Sequence, residues 1–339
     1  VHGTGAFGED DVNRVATPTG ALRRLHPLLP LAQAGAGLLV LVLTVRFVDA
    51  SGVARLLSTL NPVAFALAVL AVQVQVVVSA LRWRFTARRL GQHLPLGRAV
   101  AEYYLASLLN QILPGGVAGD AVRVLRSRHG GEGEDESRTG RALQAVVLER
   151  LSGQVVLLGA ALGGVVLAPF VYGRSLPGGW PGLVAPGGLL LLILAGLAFS
   201  ARRGRAAERL RALGPALAAV FLRRGAPILQ IASSLVVVGG YLAAFALAGA
   251  AVGAPLDPVA VVLLVPLVLL SMLLPVSVGG WGVREGAAAA ILPVAGLGAD
   301  QAVAASLVYG LASLVGAAPG LLVVLRWGFR RSRRAEATA

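Results

Sequence analysis

Six apolar blocks, each near 20 residues or longer, constrain this chain more than any other feature: 28–48, 62–81, 142–172, 183–200, 226–252 and 302–325. A bilayer hydrocarbon core of about 30 Å takes roughly 20 apolar residues per helical crossing. Helices are favoured there because they satisfy their own backbone polar groups without water. With 56% of 339 residues hydrophobic and only 14% charged, little remains to build a soluble domain. The chain reads as an all-α polytopic membrane protein. Residues 1–22, polar and glycine-rich without periodicity, read as a disordered tail; 23–328 form the membrane domain and 329–339 a basic cytoplasmic tail.

Two short stretches break the apolar pattern in the same way. Residues 113–123 read Leu-Pro-Gly-Gly-Val-Ala-Gly-Asp-Ala-Val-Arg, and residues 274–284 read Leu-Pro-Val-Ser-Val-Gly-Gly-Trp-Gly-Val-Arg, 161 positions later. Glycine-rich, charged backbone at membrane depth is costly unless buried in protein or lining a wet cavity. The segment 99–113 before the first stretch would form a helix of roughly 22 Å, too short to cross. We therefore expect 99–122 and 258–292 to be re-entrant hairpins, leaving about six full spans. The same 161-residue shift maps the first half (about 28–172) onto the second (about 183–326). Three crossings per half is odd, so the halves would run oppositely through the bilayer as an inverted-topology repeat, a transporter device for placing substrate near the midplane.

The charge distribution agrees. All 30 basic residues are arginine, and 25 of them fall in segments that this topology puts on one side, with both termini. That is the positive-inside pattern, from which we expect both termini in the cytoplasm; the expected location is a bacterial cytoplasmic membrane. A net charge of +14 arranged this way suits anionic lipid headgroups rather than nucleic acid. There is no cysteine, and the four histidines are scattered without ligand spacing, so neither a metal site nor a cofactor is expected. Paired catalytic carboxylates, a Ser-His-Asp arrangement and nucleotide motifs are likewise missing.

The candidate site residues cluster at the breaks. Asp120 and Arg123, three apart, share a face of a helix starting near Gly119. Gly115, Gly116 and Gly119 would let an anionic group approach that helix's free amides. Simple neutralisation of a helix end is the structural alternative. Arg123 and Arg284 are natural bidentate phosphate partners. Glu149 and Arg150, early in the third block, place at least one ionisable group inside the bundle, where Arg150–Asp120 or Glu149–Arg284 pairing is expected; snorkelling to the interface is the alternative. Arg284-Glu285 is the counterpart beside Gly280 and Trp281, the latter a belt aromatic or a cavity wall. Asn110 reads as a backbone-satisfying group. Trp83, inside the basic run 82–89, reads as an interface anchor. Gly159/Gly163, Gly249/Gly253 and Gly316/Gly320 have close-packing spacing.

Three ordered segments carry a family likeness: 110–123 (Asn-Gln-Ile-Leu-Pro-Gly-Gly-Val-Ala-Gly-Asp-Ala-Val-Arg), 148–153 (Leu-Glu-Arg-Leu-Ser-Gly) and 274–286, ending Trp-Gly-Val-Arg-Glu-Gly. Over about residues 28–328 the chain resembles the lysylphosphatidylglycerol synthase transmembrane-region family, the flippase-like domain proteins. The resemblance implies movement of a lipid between leaflets. It matches Asp120, Arg123, Glu149, Arg150, Arg284 and Glu285 to the family's polar motif positions. Only about a dozen residues follow the last span, so the cytosolic transferase domain of the full synthases is not expected, and nor is enzyme activity. The preferred expectation is translocation of an anionic phospholipid or polyprenyl-linked lipid, the headgroup held between Arg123 and Arg284. The alternatives are a membrane-embedded transferase using a polyprenyl-phosphate sugar donor, with Asp120 or Glu149 as base, or a scaffold for a lipid-modifying enzyme. Expected partners are anionic membrane lipids, with a second copy of the chain or a lipid-modifying enzyme left open.

Overall fold

The structure, a computed structural model, describes residues 50–113, 117–127, 135–173, 213–274 and 277–325, with four isolated helical positions between 35 and 42. The expected spans at 28–48 and 183–200, both terminal tails and Gly115 and Gly116 lie outside the described residues. What is described is helical: α1 Ala50–Ser58, α2 Pro62–Arg89, α3 Leu96–Ile112, α4 Ala118–Ser127 and α5 Asp135–Tyr172, then α6 Leu213–Leu222, α7 Ala226–Ala251, the broken helix α8 Pro258–Leu273, α9 Val283–Ile291 and α10 Ala299–Leu325.

Four of these, α2, α5, α7 and α10, are long and apolar enough to cross a membrane. Their burial runs opposite to that of a water-soluble bundle. Large apolar side chains point outward at helical spacing, among them Leu67, Leu70 and Val74 on α2 and Ile228, Ile231 and Leu235 on α7. Arginines and glutamates lie inside: Arg123, Glu149, Arg284 and Glu285 are each at most 1% exposed. A lipid-facing apolar belt around a polar interior is the arrangement of a multi-pass membrane protein.

Both glycine-rich breaks sit in helical hairpins. In the first, α3 and α4 run antiparallel. Arg126 Nε bonds Glu102 Oε2 at 2.7 Å and Arg98 Nη2 donates to the Arg126 carbonyl at 2.6 Å. At the other end, the Gly119 amide meets Asn110 Oδ1 at 2.7 Å. Gly119 is required by this approach, since a Cβ there would collide with the Ala106 carbonyl, which is backbone and cannot swing aside. In the second hairpin, α9 packs back on α8, whose 3₁₀ end ties Met272 against Gly280. The tips touch: the backbone at Gly279, at φ +56°, comes so close to Gln111 that a side chain there would strike the Gln111 carbonyl at 2.7 Å.

The element order repeats with the 161-residue shift. It carries α1 onto α6, α2 onto α7, α3 onto α8, α4 onto α9 and α5 onto α10. The contacts repeat reciprocally: α2 packs on α5 as α7 packs on α10, α2 on α10 as α7 on α5, and α3 on α10 as α8 on α5. At the centre, α2 and α7 lie side by side and antiparallel. Asn61 N–H reaches the Ala251 carbonyl (2.7 Å), Arg82 meets Ser234 (2.9 Å), Gln230 donates to Thr86 (3.1 Å) and Arg89 reaches the Arg224 carbonyl (2.8 Å).

Of the glycine spacings, only Gly316/Gly320 packs as expected, against Val72 and Tyr104. Among the described residues nothing lies within 4 Å of a side chain added at Gly159, Gly163 or Gly253, and Gly249 faces its own following loop at Ala254 and Leu256. On α5 the close approach is made instead by Gly164, against the Leu263 carbonyl.

Candidate functional site

The first hairpin, α2 and α5 bring five of the chain's charged groups into one chain of ion pairs. Glu149, fully buried on α5, accepts from Arg82 at 2.7 Å through Oε1 and from Arg123 at 3.3 Å through Oε2. Arg123 also meets Asp120 Oδ1 at 3.1 Å, and Asp120 Oδ2 holds Arg150 at 2.5 Å. The order is Arg82–Glu149–Arg123–Asp120–Arg150: three guanidiniums against two carboxylates, one positive charge in excess. Tyr103 O–H donates to Glu149 at 3.3 Å. The Arg123 guanidinium lies between two aromatic faces, 4.7 Å from Trp83 and 4.5 Å from Tyr103. Such desolvated cation–π contacts are worth about 2 kcal/mol.

Each member is placed by its element. Arg82 stands one step beyond the apolar part of α2 and turns inward to α5 and α7. Arg123 sits one helical turn after Asp120 on α4, which is why one carboxylate reaches it within the same helix. Glu149 and Arg150 are adjacent on α5, so the first points fully inward while Arg150 keeps 36% of its side chain exposed. That makes Arg150 the accessible end. The Nε atoms of Arg123 and Arg150 are buried without a hydrogen-bond partner among the described residues.

The second hairpin is built differently. Arg284 pairs with its neighbour Glu285 at 2.5 Å and with Ser306 Oγ at 3.0 Å; Glu285 also accepts the Gly282 amide at 2.6 Å. Arg284 is packed between Trp281 (4.9 Å) and Tyr309 (5.2 Å). Both charged side chains are 0% exposed and the pair is neutral. The 161-residue shift carries Arg123 onto Arg284 and Glu149 onto Gly310. Arg284 occupies the same place against α10 that Arg123 occupies against α5, because any side chain at 310 would collide with Arg284 Nη2 and lie 2.7 Å from Trp281. The counter-charge has moved from the span to the hairpin.

Several expectations are corrected by this geometry. Glu149 pairs with Arg82 from α2 and Arg123 from α4, while Arg284 pairs with its own neighbour Glu285. Arg123 and Arg284 share no acidic partner: Arg123 meets Asp120 and Glu149, and Arg284 meets Glu285. The amides at the start of α4 are largely taken: Gly119 by Asn110, and Asp120 and Ala121 by the Val117 carbonyl. Trp83 is 1% exposed and forms a floor under Arg123, not an interface anchor. Trp281 is a wall over Arg284. The expected Arg150–Asp120 pair and the Asp120–Arg123 pair are both present. Arg82, Tyr103, Tyr309 and Ser306 were missed. For Arg82 a signal existed: it follows directly on an apolar run and lies three residues before Phe85 and seven before Arg89, but as the first residue of the basic run 82–89 it reads as interfacial.

The arrangement offers no nucleophile poised on a base and, among the described residues, no group of three His, Asp or Glu side chains that would hold a metal ion. What it offers is a fixed, cationic, largely water-excluded patch. The lysylphosphatidylglycerol synthase TM-region profile matches residues 29–320 of the chain. The chain belongs to that family. Membership makes it a membrane protein concerned with lipid handling, and the matched segment contains every residue of both charge clusters. No curated protein matches the chain.

Proposed function

We propose that the chain translocates an anionic lipid, a phospholipid or a polyprenyl-linked lipid, between the leaflets of a bacterial cytoplasmic membrane, and that it does so without bond-making chemistry. The observation carrying this reading is the excess positive charge of the Arg82–Glu149–Arg123–Asp120–Arg150 chain, which ends at the partly exposed Arg150. A buried array with one uncompensated cation favours a phosphate or other single anion over a neutral headgroup. The sealed Arg284–Glu285 pair, by contrast, braces the second hairpin. Antiparallel equivalent helices α2 and α7 and the contact of the two hairpins at Gln111 and Gly279 support an inverted repeat, an arrangement that places substrate near the midplane. The arginine-rich loops put the termini in the cytoplasm.

The test is a leaflet assay in proteoliposomes, with a fluorescent anionic phospholipid and a membrane-impermeant quencher. Wild-type protein should expose the inner-leaflet probe to the quencher, and Arg150→Ala, which brings the cluster to neutrality, should not. Exposure no greater than in protein-free liposomes would overturn the proposal.

A further inference from the structure

Outside the buried cluster, one groove of about 570 Å³ runs along the seam of α2 and α7. Four arginines line it, Arg82, Arg84, Arg88 and Arg89, and no acidic residue does. Its apolar walls are Val78, Leu81 and Phe85 on α2 and Leu229 on α7. The positions 78, 81, 82, 85, 88 and 89 fall at steps of three and four, so a single stripe of α2 builds both the apolar and the cationic part. Leu81 and Leu229 are exposed by 42% and 40%, which opens the groove sideways to the lipid belt. Arg89 is held by the Arg224 carbonyl and Arg84 by the Leu94 carbonyl (3.0 Å), while Arg88 is exposed with no side-chain partner among the described residues.

Depth decides what such a groove would hold. The apolar part of α2, 62–81, spans roughly 30 Å, a full hydrocarbon core. Arg82 therefore stands at the hydrocarbon boundary and Arg88 about 9 Å further out, so the stripe between them crosses the headgroup layer, which is roughly 5–8 Å thick on each side. Arg82 also belongs to the buried chain, where it holds Glu149 at 2.7 Å. One side chain is thus shared between an outer cationic groove and an inner cationic cluster.

We propose that this groove is the lateral loading site for the phosphate headgroup of an anionic phospholipid, its acyl chains remaining in the bilayer beside Leu81 and Leu229, and that Arg82 links it to the inner cluster. The inference rests on the transport reading above and adds the route by which substrate reaches the cluster.

The chain has no cysteine, so Ser233→Cys gives a unique labelling point in the groove. Ser233 Oγ bonds only to carbonyls of its own helix, Leu229 and Gln230, so the replacement breaks no tertiary contact. The labelled full chain, in nanodiscs, is titrated with phosphatidylglycerol or phosphatidylcholine carrying a spin-label quencher near the headgroup. Phosphatidylglycerol should quench preferentially. Arg88→Glu, a change of two charges at the mouth, should cut that preference roughly 30-fold, while Arg88→Lys keeps it. Millimolar inorganic phosphate should leave the quenching unchanged. Equal quenching by both lipids, a preference indifferent to Arg88→Glu, or displacement by free phosphate would each overturn the groove assignment. The same variants in the leaflet assay separate the two proposals. Headgroup preference without translocation sinks transport and leaves the groove standing; translocation without preference does the reverse.

Discussion

Glu149→Gln is the most informative single substitution in the cluster. The side chain is 0% exposed and its carboxylate receives Arg82, Arg123 and Tyr103. Glutamine keeps the volume and one acceptor oxygen but removes the charge that two buried guanidiniums face. Breaking a buried pair by deleting one partner costs about 3–5 kcal/mol, because the remaining charge stays desolvated. Two arginines share Glu149, but the retained amide oxygen and the aromatic sandwich around Arg123 offset part of the loss. We therefore expect about 3 kcal/mol. The assay is reversible unfolding in mixed micelles, run as a cycle with Arg82→Gln. The double variant should recover part of the loss, with a coupling of at least about 1 kcal/mol. A Glu149→Gln protein within about 0.5 kcal/mol of wild type, or strictly additive single effects, would refute the claim that this carboxylate organises the site.

Other substitutions sort the two clusters and the packing. Arg284→Ala should lower the unfolding midpoint sharply, since it strands the fully buried Glu285, whereas Arg150→Ala should leave the midpoint near wild type and abolish lipid translocation. Gly310→Ala should displace Arg284 and Trp281 at a cost of about 1–3 kcal/mol, read from the same unfolding curves. Gly159→Ala and Gly163→Ala meet open space and should be neutral or stabilising by up to about 1 kcal/mol. Asn110→Ala removes the acceptor of the Gly119 amide and should cost about 1 kcal/mol, visible as faster hydrogen exchange at the start of α4.

The membrane class and the hairpins were legible because both rest on one-dimensional signals: block length, and helix breakers where continuity is expected. The 161-residue shift was legible for the same reason, and it also locates α6 opposite α1, a pair of short helices whose sequences suggest no kinship. The pairing of charges was not. Sequence places Arg123, Glu149 and Arg284 in motifs, but which carboxylate meets which guanidinium depends on helix rotation. Arg82 shows the limit most clearly. In the sequence it is the first residue of a basic run and reads as interfacial; in the fold the antiparallel α7 and the polar face of α5 turn it inward. The glycine spacings failed because packing depends on the opposing backbone, which put the contact at Gly164 and not at Gly159 or Gly163.

The central claim is that the cationic chain from Arg82 to Arg150 holds an anionic lipid headgroup, and mass spectrometry of the lipids retained by purified protein tests it most directly. The account predicts that wild-type protein retains anionic, phosphate-bearing lipid well above its share of the source membrane, and that Arg150→Ala loses about tenfold of that enrichment. A retained lipid profile matching the bulk membrane, the same for both proteins, would contradict it.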